Sequence, residues 1–388
     1  TMGFAQNSIS GTIKNQSNET VSNVEISISD ANIQTKSNEK GQFEIKNLPI
    51  GKLIIVFKKD KFEIKSEEIA IGNQEQQILD IILEEEQHHI DEILVSSVFN
   101  KTQNENVVKI DHINLKQIQN EGAINLSDAL ATNPGVSVVS TGVSIGKPVI
   151  RGLSGNRVLT YAQGIRLENQ QFGEEHGLGL NSNGQESVEI IKGPASLLYG
   201  SDAMGGVLYF NPEKYAANNK TELSVNQVVN SNTQGSNSSV TLKASEEKFK
   251  FLMQNNYTTH ADYKIPNGET VVNTRFIEKD FKVGTSFATS RYVADFRYNY
   301  NDLNLGLPEE EIEDSKYRTP LFPSQKIENH LLSFNQKVFF KNSKLEATAG
   351  YVFNDRKELE SVEELALFMK LKTFNYNVRY YLPDLGKF

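Results

Sequence analysis

The stretch that decides the fold is Ile190-Ile-Lys-Gly-Pro-Ala-Ser-Leu-Leu-Tyr-Gly-Ser-Asp-Ala-Met-Gly-Gly-Val207. An apolar, strand-like segment (188–191) leads into Lys-Gly-Pro, and the apolar residues 195–199 predict a short helical turn. Gly200, Gly205 and Gly206 follow, and glycine is the residue that adopts positive φ without strain. This density of backbone constraints predicts a tightly packed plug rather than a surface loop.

The residues upstream show an ordered series of further elements. Residues 126–130 predict a short helix that Asn125 or Ser127 could cap. A Pro-Gly-Val turn (134–136) and two strands (148–152 and 156–159) follow it. This order, ending in the stretch at 190–207, resembles the plug domain of TonB-dependent outer-membrane receptors over residues 125–211. One position departs from the family pattern, because Gln163-Gly164 stands where the family often has Asp-Gly, and this should affect a single turn.

Composition narrows the possible function. The 388 residues carry a net charge of −9 without a basic stripe, which argues against nucleic acid as a partner. The absence of cysteine excludes a disulfide framework and a thiolate metal site. No apolar window of about 18 residues predicts a transmembrane helix, although a transmembrane strand needs only about 10 alternating residues. Residues 1–6 are similar to the end of a signal peptide cleaved near Gln6 or Asn7, and an ordinary frayed terminus is the alternative.

Residues 7–86 alternate with period two and predict a small β-sandwich. Turn signals at 15–18, 37–41 and 47–51 separate the runs. The segments Asn38-Glu-Lys-Gly-Gln-Phe43 and Leu48-Pro-Ile-Gly51 resemble the carboxypeptidase-regulatory-like domain, which often precedes TonB-dependent receptors of the Bacteroidetes type. The resemblance implies an accessory sandwich in the periplasm, and no catalytic residues accompany it.

Residues 87–103 form a predicted linker, followed by a plug at 104–212. Part of the linker resembles a TonB box, which implies that it binds a TonB-type energy-transducing protein of the periplasm. Such a segment binds by adding as a strand to a sheet edge. The other interpretation is a final strand of the sandwich at 93–95. The residues of the proposed box are Asp91, Glu92, Ile93, Leu94, Val95 and Ser96.

Residues 213–388 alternate again and predict about eight strands. Short connections at 246–247, 289–291 and 341–343 alternate with long ones at 258–275, 301–329 and 354–369. This regularity is typical of an outer-membrane β-barrel, with turns in the periplasm and loops outside. The predicted strands are 222–229, 238–244, 249–257, 276–287, 292–300, 331–340, 345–353 and 370–381.

The predicted barrel is incomplete. Plugged transporters of this type have roughly 22 antiparallel strands in contact with outer-membrane lipid. Only 388 − 212 = 176 residues follow the plug. We therefore expect a mainly β protein with a sandwich, a mixed α/β plug and part of a transmembrane barrel, and interpret the chain as an N-terminal fragment.

The predicted ligand site is a polar loop at residues 168–177. Glutamate and histidine together bind borderline metals such as zinc or iron, and the loop is similar to those of receptors for metals or metal chelates. The alternative is a polar loop that contacts only the barrel wall or solvent. Asp262 and the acidic run 309–311 lie in predicted external loops and could assist cation capture, although a solvated acidic loop is the favoured interpretation of the run. The candidate ligands are Gln170, Glu174, Glu175 and His176, with His260 in a predicted external loop.

No enzyme signature is present, and the Gly142–Pro148 segment fails as a phosphate loop because its spacing and final residue are wrong. We expect a non-enzymatic importer without a resident cofactor, whose cargo is a metal ion or metal complex such as an iron chelate, haem or zinc. A glycan importer of the same fold is the main competitor, although residues 97–100 lack the Thr-Gly-Tyr-Gly-like continuation associated with glycan importers. A non-transporting surface-binding β protein is the remaining alternative.

Overall fold

The computed structural model describes residues 7–59, 62, 64–72, 76–84, 110–115, 122–168, 179–309, 318–341 and 343–382. These residues form three parts: an N-terminal sandwich (8–83), a plug (110–212) and a long antiparallel sheet, here called the wall (220–381). The predicted TonB box lies outside the described residues. The mainly β fold that the sequence predicts is confirmed.

The sandwich consists of two four-stranded sheets. In the first, β1 pairs antiparallel with β4 and parallel with β7 and β8, and in the second the order is β3-β2-β5-β6. The period-two runs bury one face of each sheet. The strands are β1 (Ser8–Asn15), β2 (Glu25–Ile28), β3 (Ile33–Lys36), β4 (Gln42–Lys46), β5 (Gly51–Lys58), β6 (Lys65–Ile71), β7 (Gln76–Ile78) and β8 (Ile81–Leu83), with a 3₁₀ turn at Ser29–Ala31.

The plug is built on a mixed five-stranded sheet with the order β13-β12-β15-β14-β9. Strands β12 and β15 are parallel, and the other neighbours are antiparallel. A separate hairpin joins β10 to β11. The elements are β9 (Ile110–Asn114), α1 (Leu126–Leu130), β10 (Val136–Gly142), β11 (Ile145–Ile150), β12 (Val158–Ala162), β13 (Ile165–Leu167), β14 (Gln185–Ile191) and β15 (Gly206–Pro212), with 3₁₀ turns at Gly155–Arg157 and Gly193–Tyr199.

The predicted helix at 126–130 is confirmed, and Asn125 is its N-cap. The Asn125 side chain accepts a hydrogen bond of 2.8 Å from the backbone N–H of Asp128, which satisfies one free donor of the first turn. Among the residues that the structure describes, no helix is long and apolar enough to cross a bilayer.

The glycines of the deciding stretch act in two different ways. Gly200 and Gly206 have φ of 120° and 146°, as expected. Gly205 does not have positive φ, so that expectation was wrong. It is required for space instead, because a Cβ there would lie 2.9 Å from Val158 Cγ2 and 3.0 Å from the carbonyl oxygen of Arg157.

The wall is an eight-stranded antiparallel meander in strict chain order, β16-β17-β18-β21-β22-β23-β24-β25. A two-stranded hairpin, β19 with β20, lies in one of its longer connections. The strands are β16 (Lys220–Asn230), β17 (Gly235–Ser245), β18 (Phe249–His260), β19 (Tyr263–Lys264), β20 (Thr270–Val271), β21 (Phe276–Ala288), β22 (Tyr292–Gly306), β23 (Ser324–Phe339), β24 (Lys344–Leu359) and β25 (Leu365–Tyr381).

Strand β18 shows how the wall is oriented. Its alternate residues Gln254, Asn256 and Thr258 are buried, whereas the intervening Met253 and Tyr257 are exposed. A polar inner face and an apolar outer face are the arrangement of a barrel in lipid rather than of a soluble sheet.

All eight predicted wall strands are present, and each of them is longer than predicted. Strand β23 begins at Ser324 rather than at 331, and the predicted loop at 354–369 shrinks to 360–364. The sequence interpretation ended each strand at its last apolar residue. Polar residues such as Gln325, Asn354 and Arg356 continue the same ladder, because the buried inner face of the wall carries polar side chains beside apolar ones.

Candidate functional site: the plug and the inner wall

Lys192 joins three separate segments of the plug. Its Nζ donates to Asp111 Oδ2 on β9 at 2.8 Å, to Asn133 Oδ1 at 2.9 Å and to the carbonyl oxygen of Pro134 at 2.7 Å. The ammonium therefore ties the deciding stretch to the first plug strand and to the Asn-Pro-Gly turn. This explains why a lysine stands between the strand and the glycine-rich turn.

The unusual turn at Gln163-Gly164 contacts the wall. Both residues have positive φ (55° and 81°), as a tight hairpin between β12 and β13 requires. Ser333 Oγ on β23 donates to Gln163 Oε1 at 2.8 Å, and both residues are buried. The one departure from the family pattern thus positions the plug against the wall.

Shape complementarity fixes the same plug hairpin. Ile165 is 1% exposed and packs against Gly350 of β24, where a Cβ would lie 2.3 Å from Ile165 Cδ1. Leu331 and Val352 of the wall belong to the same apolar cluster as the plug core. Only a glycine at 350 leaves room for this side chain.

A polar ladder crosses five strands of the inner wall. Asn256, Asp280, Asn301, Asn329 and Asn354 are direct cross-strand partners on β18, β21, β22, β23 and β24. Asn256 and Asn301 donate to Asp280 at 3.3 and 2.8 Å, Asn329 donates to Asn301 at 3.2 Å, and Asn354 donates to Asn329. The amide groups of the ladder therefore donate in a series that ends at the Asp280 carboxylate, and each hydrogen bond polarises and strengthens the next.

The plug turn at residues 181–184 meets this ladder. Asn181 donates to Glu278 Oε2, and Asn301 donates to the other oxygen of Glu278 at 2.7 Å. Lys282 donates to the carbonyl oxygen of Asn183. This turn of the plug is thus held to the wall by polar contacts, which can be exchanged for water.

The chain passes from plug to wall through a second polar cluster. The Tyr215 hydroxyl donates to Asp295 Oδ2 at 2.8 Å, and the Arg297 guanidinium lies 4.6 Å from the centre of the Tyr215 ring. Lys243 lies 2.6 Å from Glu213 Oε1. Burial, opposed by Arg297 and reinforced by Asp295, raises the pKa of Tyr215, so that its hydroxyl stays a donor.

A cavity of about 500 Å³ separates the plug from the wall. Tyr161, Tyr199 and Tyr209 form an aromatic group on the plug side, with ring centres 5.2 to 6.3 Å apart. Burial raises the pKa of Tyr209 to about 12, so this phenol is neutral. Basic side chains outnumber acidic ones on the cavity lining. The basic residues are Arg166, Arg297, Lys337, Lys344 and Arg379, and the acidic residues are Asp295 and Glu346.

Of the predicted ligand residues, His260 lies within the described part of the chain. Gln170, Glu174, Glu175 and His176 lie outside the described residues, so their role stays a prediction. His260 does not lie in a loop, and that placement was wrong, because the β18 ladder continues to this residue. It is 1% exposed, stacks on Phe276 with ring centres 4.7 Å apart, and its Nδ1 lies 2.7 Å from Thr233 Oγ1. Its ligand role also stays a prediction.

Asp262 binds Arg275. Its Oδ1 accepts from the Arg275 backbone N–H at 2.9 Å and from Nε at 3.0 Å, while Oδ2 contacts the guanidinium. Residues 310–311 of the acidic run lie outside the described ranges. Across those ranges, no group of three or more His, Asp or Glu side chains is arranged to hold a metal ion.

Two family models match the chain. The CarboxypepD_reg-like domain matches residues 9–95, and the TonB-dependent Receptor Plug Domain matches residues 102–207. The chain thus carries the plug domain of a TonB-dependent receptor. The receptor's deciding stretch at 190–207 thus ends the matched plug.

Relatives of the receptor align over part of its length. Heme/hemopexin utilization protein C of Haemophilus influenzae is 41% identical over 87 residues, which are 22% of this chain and 12% of the relative. The vitamin B12 transporter BtuB of Photobacterium profundum is 32% identical over 103 residues, 26% of this chain and 17% of the relative.

Solved structures share the receptor's fold. The siderophore receptor PiuA of Acinetobacter baumannii superposes with a TM-score of 0.55 at 18% identity, covering 70% of this chain and 39% of that chain. The siderophore receptor PirA of the same species superposes with a TM-score of 0.52 at 15% identity, covering 70% of this chain and 44% of that chain. The receptor chain therefore spans less than half the length of these structures.

Sequence reasoning missed the polar ladder and the cavity of the receptor. The ladder residues are spaced along five strands, and only the strand register makes them neighbours. Of the four ladder asparagines only Asn256 lies inside a predicted strand, whereas Asn301, Asn329 and Asn354 lie just beyond predicted strand ends. Asparagine is depleted in ordinary strands, so these positions were interpreted as loop.

Proposed function

We propose that this receptor takes part in TonB-dependent import of a metal complex across the outer membrane, with its sandwich in the periplasm. The observation that carries the proposal is the plug against the polar inner wall, held by contacts such as Gln163 to Ser333. A plug fixed in this way blocks passage until a force rearranges it. Binding and conformational change, without covalent chemistry, are sufficient for such a function.

Two observations support a metal complex as the cargo. The curated relatives are named for haem and vitamin B12, and both compounds are metal chelates. The cavity lining carries more cations than acids, which suits an anionic chelate. We propose Gln170, Glu174, Glu175, His176 and His260 as candidate contacts of the cargo.

Energy coupling is proposed for the segment Asp91–Ser96. Its apolar and β-branched residues suit addition to a sheet edge of a TonB-type protein, where main-chain hydrogen bonds supply the affinity. Pulling on this strand would transmit force to β9, the first plug strand that the structure describes, and from there to the Lys192 contacts.

The cargo is tested by uptake in a strain that lacks the receptor and carries the full-length gene on a plasmid. Hemin, ferric enterobactin, cyanocobalamin, zinc sulfate and a mixed oligosaccharide are supplied in turn as limiting nutrients. We expect receptor-dependent growth on at least one metal compound. Growth on the oligosaccharide alone would support the glycan importer, and dependence on none of them would contradict import.

Coupling is tested by deletion of residues 91–96. We expect uptake of the growth-supporting compound to be lost while cell-surface binding remains. A deletion of the five residues 360–364, in the exposed loop between β24 and β25, controls for general damage. Full uptake without residues 91–96 would refute the coupling role.

Cargo contact is tested by changing Glu174, Glu175 and His176 together to Ala. We expect at least tenfold weaker binding of the imported metal compound in calorimetry of the detergent-solubilised receptor. Glu363→Ala with Glu364→Ala, in the loop between β24 and β25, is the control for loss of acidic charge. Unchanged binding would remove these residues from the site.

A further inference from the structure

The sandwich is attached to the end of the wall where its short turns lie. Asp30, in the 3₁₀ turn Ser29–Ala31, places Oδ1 at 2.8 Å from Lys337 Nζ and Oδ2 at 3.1 Å from Lys344 Nζ. Its side chain is 10% exposed. One buried carboxylate thus binds two lysines on the adjacent strands β23 and β24.

Asn32 makes a second contact beside this pair. It has φ of 52°, which turns the chain sharply after the 3₁₀ turn, and its Nδ2 donates to Ser286 Oγ at 3.1 Å. Asn47 Nδ2 donates to Glu247 Oε2 at 3.1 Å, and the Ile50 N–H donates to the carbonyl oxygen of Ser290 at 2.8 Å. These contacts reach two of the short turns.

Apolar packing accompanies the polar contacts. Ala288, Val293 and Phe339, all near the short-turn end of the wall, are buried in the same cluster as the sandwich core. Three side chains make a small apolar contact, and interfaces between parts of one chain are commonly of this transient kind. The sandwich can therefore leave the wall without losing its own two-sheet core.

The same turn of the sandwich borders the cavity. Asn32 lies on the lining of the 500 Å³ space together with Lys337, Lys344 and Asp295. The sandwich thus forms part of the cavity's boundary, through Asn32, at the end where cargo would leave if the wall is oriented with its short turns in the periplasm. The docked sandwich supplies this part of the boundary, and the plug does not.

We propose that residues 29–32 of the sandwich are an exit stopper, which must undock from the wall before cargo passes from the cavity. The inference rests on the proposed import function. It assigns the accessory domain an autoinhibitory role: the plug controls entry to the cavity, and the stopper controls release from it.

The test holds the sandwich docked in the full-length receptor in cells. The 388 residues contain no cysteine, so Asn47→Cys with Glu247→Cys introduces a pair of thiols at a contact outside the stopper, and any cysteine elsewhere in the full-length receptor is changed to Ser. A short bis-maleimide with an internal disulfide joins them and a reductant releases them. The control pair, Gln227→Cys with Ser238→Cys, joins neighbouring positions on β16 and β17.

Uptake of hemin, ferric enterobactin and cyanocobalamin is measured before linking, after linking and after reduction. We expect at least a tenfold loss of uptake on linking 47 to 247, with recovery after reduction, unchanged surface binding and no loss in the control pair. Full uptake by the linked receptor would overturn the stopper while leaving import intact. Absence of uptake before linking would instead overturn the proposed function.

A second measurement follows undocking directly. Ser286 is 3% exposed beneath Asn32, so a lone Ser286→Cys should react slowly with a maleimide in resting cells. We expect labelling to rise severalfold when Asp30→Asn is added, and also during uptake of the growth-supporting compound. Labelling that stays constant under both conditions would overturn the proposal.

Discussion

Lys192 Nζ lies 2.8 Å from Asp111 Oδ2, which joins residues 81 positions apart in the chain. Both side chains are largely buried, at 11% and 22% exposure. We expect Lys192→Met to lower the free energy of unfolding of the plug by about 1–3 kcal/mol, because a charged hydrogen-bonded group is lost. Faster hydrogen exchange of the plug amides in detergent-solubilised receptor measures this effect. Lys214→Met, at an exposed pair with Glu186, should leave exchange nearly unchanged.

Gly350→Ala should loosen the plug. The new Cβ would lie 2.3 Å from Ile165 Cδ1, and overpacking of this kind costs about 1–3 kcal/mol. Thermal unfolding of the solubilised receptor should occur at a lower temperature, and Ile165→Ala in the same chain should recover part of the loss. Gly142→Ala, whose Cβ would be an ordinary 3.7 Å from Thr274, is the control. Equal effects at both glycines would contradict this account.

Asp262→Asn should be strongly destabilising. Arg275 is 0% exposed at its side chain, and removing the charge of Asp262 takes away a carboxylate that compensates this buried cation, at a cost of about 3–5 kcal/mol. We expect a large drop in the midpoint of guanidinium unfolding. Lys279→Gln, at an exposed pair with Asp302, should change stability by less than about 1 kcal/mol. A small effect of Asp262→Asn would mean that water reaches Arg275.

The stabilisation that Asp30 gives to the docked sandwich should not change with pH in the neutral range. Burial alone would raise the pKa of Asp30, but Lys337 and Lys344 lower it well below the ordinary value of 3.8. A carboxyl group whose pKa is lower in the folded than in the unfolded protein stabilises the fold fully at pH values above its unfolded pKa. This stabilisation is lost as the pH falls toward the folded pKa. The free energy of unfolding of the parent receptor should exceed that of Asp30→Asn by about 1–3 kcal/mol. This difference should be constant from about pH 5 to 8.

Thermal unfolding of the two proteins at several pH values measures this difference. It should shrink only below pH 3.8, where the unfolded carboxyl becomes protonated. A difference that already disappears between about pH 5 and 7 would show that Asp30 is not held by the two lysines.

The amino-acid sequence alone determined the three-part organisation of this receptor. Period-two alternation marks the strands of the sandwich and of the wall, because one face of each sheet is buried. The stretch from Ile190 to Val207 marks the plug, because Gly193, Gly200 and Gly206 meet a local requirement for positive φ. These are properties of neighbouring residues, and they can be recognised without knowing what lies across the fold.

The tertiary structure decided which distant residues meet. Gly205 is needed for the space beside Val158 rather than for its φ, and Gly350 is needed for the plug's Ile165. Asp30 and Lys337 are 307 positions apart, and no local pattern relates them. The polar ladder and the cavity arise in the same way, because strand register and the packing of one part on another determine contacts that sequence spacing does not encode.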